Sequence, residues 1–220
     1  MKTSVILLAG GIGRRMVADM PKQFLLLDGK PLILHSLDVF LAIPEVDEIV
    51  VVCGSSYRHV FEGTPSKLIF ADPGDRRQDS VFNGLQKVSP DAGLVCVHDS
   101  ARPLITPDLV CDVIAEATRH GAATLGLPVS FTVKYGDDNN FVVSTPDRSD
   151  IWEIQTPQVV SAPLLREGFL YANNNNITVT DDVSLVELIR KPVKLVEGST
   201  TNIKITTPKD LIIAENIIKK

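Results

Sequence analysis

Val5-Ile6-Leu7-Leu8-Ala9-Gly10-Gly11-Ile12-Gly13-Arg14-Arg15-Met16 is the stretch that decides the fold. A strand with one wet face alternates apolar with polar residues, so four apolar residues in a row predict a strand covered on both faces. The glycines then turn the chain. Small residues let backbone N–H groups approach a bound phosphate closely, and Arg14, Arg15 and the nearby Lys22 of Pro21-Lys22-Gln23 add full positive charge. The loop lacks Gly-Lys-Ser/Thr and is no Walker A loop. Gly11-Ile12-Gly13 opens a dinucleotide fingerprint, but Met16 holds the third glycine position. The next strand ends at Val52-Cys53-Gly54 without an acid to hold a ribose, so a nicotinamide-enzyme reading fails twice.

The same kind of run recurs outward along the chain, at Ile49–Val52, Leu68–Phe70 and Leu94–Val97. Between the runs lie segments of helical period: Pro31–Ile43, a short piece at Tyr57–Phe61, and Arg76–Val88 with Val81, Leu85 and Val88 on one face. This alternation predicts an α/β doubly wound domain with a mostly parallel, Rossmann-like sheet, spanning residues 1–220 as one unit. Thr106-Pro107-Asp108 and Thr207-Pro208-Lys209-Asp210 each combine a capping hydroxyl, Pro at the first helical position and an early acid. The second opens a C-terminal helix whose Leu211, Ile212, Ala214 and Ile218 are expected to face the sheet. Thr132–Ile154 breaks the rhythm, with two strand-like pieces around Gly136-Asp137-Asp138-Asn139-Asn140. This predicts a projecting β-hairpin arm over about 132–154. A two-stranded ribbon is marginal in water, so the arm is expected to pack on a second copy of the chain.

Composition narrows the function. With 22 Lys+Arg against 27 Asp+Glu the net charge is −5, which argues against a surface that coats nucleic acid or an anionic membrane. Aromatics at 5% argue against base-stacking platforms. Three cysteines without paired spacing make neither a disulfide framework nor a zinc site. The N-terminus has no signal-peptide layout, and no apolar run approaches the ~20 residues that span a bilayer. A cytoplasmic protein is expected, or a plastid stromal one if a transit peptide has been removed.

Two more segments follow strands, at the sheet edge where ligands bind in open α/β folds. In His98-Asp99-Ser100-Ala101-Arg102-Pro103, Asp99 is suited either to a divalent cation bridging phosphates or to an ion pair with Arg102. His98 reads as a hydrogen-bonded core histidine. In Asp72-Pro73-Gly74-Asp75-Arg76-Arg77-Gln78-Asp79-Ser80, Asp79 and Ser80 serve either as helix caps or as readers of a base and ribose. Taken alone, Thr180-Asp181-Asp182 is a helix start, and Asn202-Ile203-Lys204-Ile205-Thr206 is a strand with an exposed lysine.

Together these stretches, with Gln155-Thr156-Pro157-Gln158, occur in one order, and from Val5 to Glu215 the chain resembles the 2-C-methyl-D-erythritol 4-phosphate cytidylyltransferase family of the non-mevalonate isoprenoid pathway. The resemblance implies a nucleotidyltransferase fold, homodimeric through the arm, that moves CMP from CTP to a polyol phosphate. It implies that Ala9, Gly10, Gly11, Gly13, Arg15 and Lys22 cradle the triphosphate, that Gly74, Asp75 and Ser80 contact the cytidine, and that Ser100 and Ala101 also belong to the CTP site. Asp99 would help to hold Mg²⁺. Thr132, Arg148, Thr156, Thr180, Lys204 and Arg102 would surround the acceptor, with Thr132 and Arg148 supplied by the partner's arm, and Arg15, Lys22 and Lys204 would stabilise the transition state. Pro146, just ahead of Asp147-Arg148, is expected to bend the strand that presents Arg148. Two rival readings are a sister cytidylyltransferase acting on another polyol phosphate, such as ribitol 5-phosphate, and a non-catalytic nucleotide-binding protein.

Overall fold

The computed structural model describes residues 1–11, 20–64 and 68–219. β1 (Thr3–Leu8), buried at all six positions, lies in parallel between β4 (Val46–Val52) and β6 (Leu94–Asp99). β5 (Leu68–Ala71) extends the sheet beyond β4. On the other side β10 (Trp152–Ser161) runs antiparallel between β6 and β7 (Ala122–Pro128), and β11 (Lys194–Glu197) pairs in parallel with β7. The seven-stranded order is β11-β7-β10-β6-β1-β4-β5, mostly parallel as expected, with β10 as the reversed strand.

Parallel neighbours must be joined by crossovers, and helices fill that role on both faces. Alternate residues of a strand point to opposite sides. Val5 and Leu7 therefore pack, with Leu37 and Phe40 of α1 (Leu32–Ala42) and Val110 and Val113 of α3 (Pro107–His120), in one core. Ile6 and Leu8 join the opposite core, with Val81 and Leu85 of α2 (Arg77–Leu85) and Leu165 and Phe169 of α4 (Ala162–Asn174). This two-sided cover is why the strand sequences are unbroken apolar runs. Cys53 and Cys96 are buried in it as free thiols, and Cys111 is half-buried.

Four local expectations change. α2 ends at Leu85, although Val88 is still buried beyond it. α6 (Pro208–Ile218) has the expected Thr207–Asp210 capping box, but it does not lie on the main sheet. It packs Leu211, Ala214 and Ile218 with Leu27, Leu32 and Ile205, beside the small hairpin of β2 (Leu26–Leu27) and β3 (Lys30–Pro31). One narrow stripe suffices there, so Ile212, outside the i, i+3, i+7 row, is 60% exposed. Residues 202–206 form no strand: Asn202 lies in a bend, Ile203 N–H donates to Thr201 O, and Ile205 N–H donates to Ala101 O. The arm is present as β8 (Tyr135–Gly136) and β9 (Val142–Ser144), but it ends before Trp152, which begins β10 opposite Pro128.

β9 stops two residues before Pro146, which has no N–H for the ladder. Asp147 then caps a 3-10 turn at Arg148–Asp150 by accepting from Ser149 N–H. Among the described residues no helix is long and apolar enough to cross a membrane.

Candidate active site

The ends of β1 and β6 and the loop after β5 open onto one cavity of about 760 Å³. Ser100 ties two of these edges together, donating from N–H and Oγ to Leu8 O at 3.1 and 2.5 Å. The cavity wall is tight at two glycines. A Cβ on Gly10 would stand 2.4 Å from Pro73 Cβ, and one on Gly74 would stand 2.4 Å from Asp79 Cβ. Ser80 Oγ accepts from Gly74 N–H at 3.0 Å, and Asp79 caps α2 through Arg76 N–H, so both residues shape the 72–76 loop.

Charge is concentrated on one side of the cavity. Lys22 Nζ donates to Ile205 O at 2.7 Å, joining the segment after the glycine loop to the chain that carries Lys204. Lys204 Nζ lies 2.5 Å from Asp99 Oδ2. Arg77 Nη2 reaches the other oxygen, Asp99 Oδ1, at 3.0 Å, and also pairs with Asp182 at 2.8 Å. Burial opposes ionisation of Asp99, but the Arg77 and Lys204 charges outweigh it and hold the carboxyl well below the usual carboxylate range. Burial opposes the Arg77 charge too, and its two carboxylates overcome it. Asp182 is shifted upward: burial dominates, and Arg77 offsets it only in part.

Beneath Asp99 lies His98, fully buried. Its Nε2 faces Arg102 O at 3.2 Å, an acceptor, and its Nδ1 faces Thr156 Oγ1 at 3.1 Å. Nε2 therefore carries the proton, Thr156 O–H donates to Nδ1, and Thr156 Oγ1 accepts from Asp99 N–H. Burial pushes the imidazole down to about 4 from 6.5. Between those values the unfolded chain binds the extra proton, so stability rises with pH across that window and falls on acidification. At about 1.4 kcal/mol per unit the full effect is roughly 3 kcal/mol. Urea unfolding from pH 6.5 to 4.5 should show this slope, and His98→Gln should flatten it; an unchanged slope would exclude His98 as its source.

The cavity gathers Gly10, Gly11, Lys22, Gly74, Asp75, Ser80, Asp99, Ala101 and Lys204 from the sequence-predicted set. Ala9 and Ser100 are buried behind its wall, and Thr156 supports Asp99 and His98 from below. Gly13, Arg14 and Arg15 lie outside the described residues. The alternative Asp99–Arg102 ion pair gives way to Arg77 and Lys204, because Arg102 is drawn to Asn202 O at 2.7 Å. Thr180 is exposed, beside the buried Asp182. Thr132 and Arg148 line a separate cavity of about 330 Å³ in the arm, which shares no lining residue with the first. Arg77 and Gln23, which sequence reasoning did not place in the site, line the main cavity. Arg77 did leave a signal: it opens α2, where the helix dipole disfavours a cation.

Residues 3–220 match the family model described as 2-C-methyl-D-erythritol 4-phosphate cytidylyltransferase. The chain belongs to this family. It is 52% identical over 221 residues to the chloroplastic 2-C-methyl-D-erythritol 4-phosphate cytidylyltransferase of Oryza sativa subsp. japonica, a match covering 99% of this chain and 74% of that protein. With the 2-C-methyl-D-erythritol 4-phosphate cytidylyltransferase of Chlamydia caviae it shares 48% identity over 217 residues, 99% of both chains. The crystal structure of the Thermus thermophilus enzyme of the same name superposes with a TM-score of 0.83 at 33% identity, covering 100% of each chain. The family match thus takes in every cavity residue from Leu8 to Thr206.

Proposed function

We propose that this chain transfers CMP from CTP to the phosphate of 2-C-methyl-D-erythritol 4-phosphate. An acceptor phosphate oxygen bonds to the α-phosphorus, the bond to the β-phosphate oxygen breaks, and pyrophosphate leaves, giving 4-diphosphocytidyl-2-C-methyl-D-erythritol. The observation that carries this reading is the convergence of Lys22, Arg77, Lys204 and Asp99 on one strand-end cavity in a member of this family.

The chemistry suits the residues present. A phosphate monoester has a second pKa near 6 and is largely dianionic at pH 7, so it attacks without a general base. His98, buried with both ring nitrogens engaged, is not positioned to be one. The difficulty is bringing an anion to a polyanion. Fixed cations around the cavity lower that cost, and the close Gly10–Pro73 contact fixes the wall on which the nucleotide would rest. Direct in-line displacement follows, with Arg15 as a further cation of the triphosphate loop. Gly74, Asp75 and Ser80 would receive the cytidine, and Thr156, Thr180, Arg102 and Lys204 the acceptor side.

Mg²⁺ fits the donor set. Among the described residues no group of three or more His, Cys, Asp or Glu gathers to hold a metal, and the acidic cavity residues are Asp75 and Asp99. Mg²⁺ keeps several waters and uses one or two carboxylates plus substrate phosphates. Asp99, its carboxyl held well below the usual carboxylate range by Arg77 and Lys204, would hold it. When bound, the cation would neutralise triphosphate and leaving-group charge.

The arm supports a homodimer. Phe131 is 79% and Phe141 71% exposed, and Val142 and Val143 lie beside Phe141 on a ribbon that makes no sheet with the rest of the chain. Such a surface needs a cover. A second copy would supply it and would bring Thr132 and Arg148 to its partner's cavity. Sedimentation should give twice the 24.0 kDa chain mass. The double variant Phe141→Asp, Val143→Asp should be monomeric with turnover lowered at least tenfold; a variant that stays dimeric would remove the arm from the interface.

The deciding assay is pyrophosphate release from CTP. Methylerythritol phosphate is expected to support it and ribitol 5-phosphate to fail. Faster release with ribitol phosphate, or none with either acceptor, would overturn the reading. The compartment is expected to be cytoplasm or plastid stroma.

A further inference from the structure

We propose that Arg77 and Asp182 are positioning residues for Asp99: Asp182, buried behind Arg77, sets the guanidinium so that it occupies one oxygen of Asp99 and leaves the other to the cavity-lining Lys204 and to a bound cation. The proposal rests on the reading of Asp99 as the carboxylate that meets the metal-bound triphosphate.

The geometry is a relay of fixed contacts. Arg77 presents Nη1 and Nη2 to the two oxygens of Asp182 at 2.9 and 2.8 Å, a two-bond fork. Its Nε and Nη2 both reach Asp99 Oδ1, at 3.2 and 3.0 Å. Asp99 Oδ2 is thereby kept clear of Arg77 and is met by Lys204 at 2.5 Å, a contact that a bound cation would take over or share. Asp182 does not line the cavity and is 2% exposed, and its carboxylate reaches Asp99 by way of its two bonds to Arg77. It is anchored in turn, because its N–H and that of Val183 both donate to Gln158 Oε1, at 2.7 and 3.0 Å. Gln158 belongs to β10 and donates to Asp181 from its other end. The guanidinium is therefore referenced to the sheet as well as to the helix that carries it.

Charge sharing gives the arrangement a purpose beyond packing. Between two carboxylates, Arg77 cannot turn its whole charge on Asp99. Without the Asp182 charge, the guanidinium is free to form its two-bond fork with Asp99, engage both oxygens, and weaken that carboxylate as a partner for a divalent cation. A lysine at 77 keeps the charge but loses the fork that separates the roles of the two oxygens.

Calorimetric titration of the folded dimer or monomer with CTP, with and without Mg²⁺, tests this independently of turnover. In the wild type Mg²⁺ should tighten CTP binding; in Asp182→Asn and in Arg77→Lys that enhancement should shrink at least fivefold. Should Asp182→Asn not fold, Arg77→Lys decides the matter with the same expected outcome. A folded variant whose Mg²⁺ enhancement stays within twofold of wild type overturns the proposal, even if its melting temperature has dropped. Absence of any enhancement in the wild type is a different failure: it removes the cation role of Asp99 from the proposed function, and this proposal with it.

Discussion

Lys22→Ala is expected to lower kcat by roughly 10²–10³, the range for losing one preorganised donor to a developing charge. Lys22 lines the cavity directly after the glycine loop, and its ammonium is held by Ile205 O in the segment that carries Lys204. The reaction asks the protein for positive charge at fixed positions and little else, so removing one of these cations removes transition-state stabilisation directly. Little of the loss should appear in stability, because an ammonium at the rim of a wet cavity has a modest net worth to the fold. Steady-state kinetics beside a thermal melt separates the two. Near-normal turnover in a folded Lys22→Ala variant would withdraw Lys22 from the catalytic set.

Asp99→Asn should damage both function and stability. In the folded chain the Asp99 carboxylate receives Lys204 on one oxygen and Arg77 on the other, in a site where the side chain is almost fully buried. Replacing it by an amide sets a donor group where cations converge and leaves Arg77 and Lys204 repelling each other without the anion between them. Breaking one partner out of a fully buried ion pair costs about 3–5 kcal/mol; here the cost is lower, because Lys204 and Arg77 are partly exposed and Arg77 keeps Asp182. For a chain of this length a fall in melting temperature of roughly 5 °C is expected. Turnover should fall by at least 10², because Lys204 loses the carboxylate that holds it and the proposed cation loses its protein ligand. A variant with wild-type melting and turnover would mean that the Arg77–Asp99–Lys204 cluster is neither structural nor catalytic.

How much of this was readable before folding differs sharply between elements. Thr106 and Thr207 announced the starts of α3 and α6 correctly, since capping is settled within four residues. Ile212 is exposed against the sequence expectation because helical period states which residues share a face, not how wide the receiving surface is. The arm was visible from its polar turn, but its far end was placed too late. Trp152 and Ile154 look the same in sequence whether they extend a hairpin or pair with Pro128 and Gly126 of β7. Asp99 stands out in the sequence by its place after a buried strand, but of its two alternatives there the Arg102 pair gives way, because Arg102 is near in sequence and Arg77 is near only in space.

By itself, then, the sequence determined the buried parallel strands, the glycine turn and the capped helices. These depend on residues within one or two turns of each other, and strands covered on both faces need unbroken apolar runs wherever they occur. Only the tertiary structure decided the charge cluster. Asp99 meets Lys204 across 105 positions, and Arg77 across 22, while Arg77 meets Asp182 across another 105. An ion pair has no period and leaves no local pattern; it exists only once β6, α2 and the chain segments bearing Lys204 and Asp182 have been brought to the same edge of the sheet.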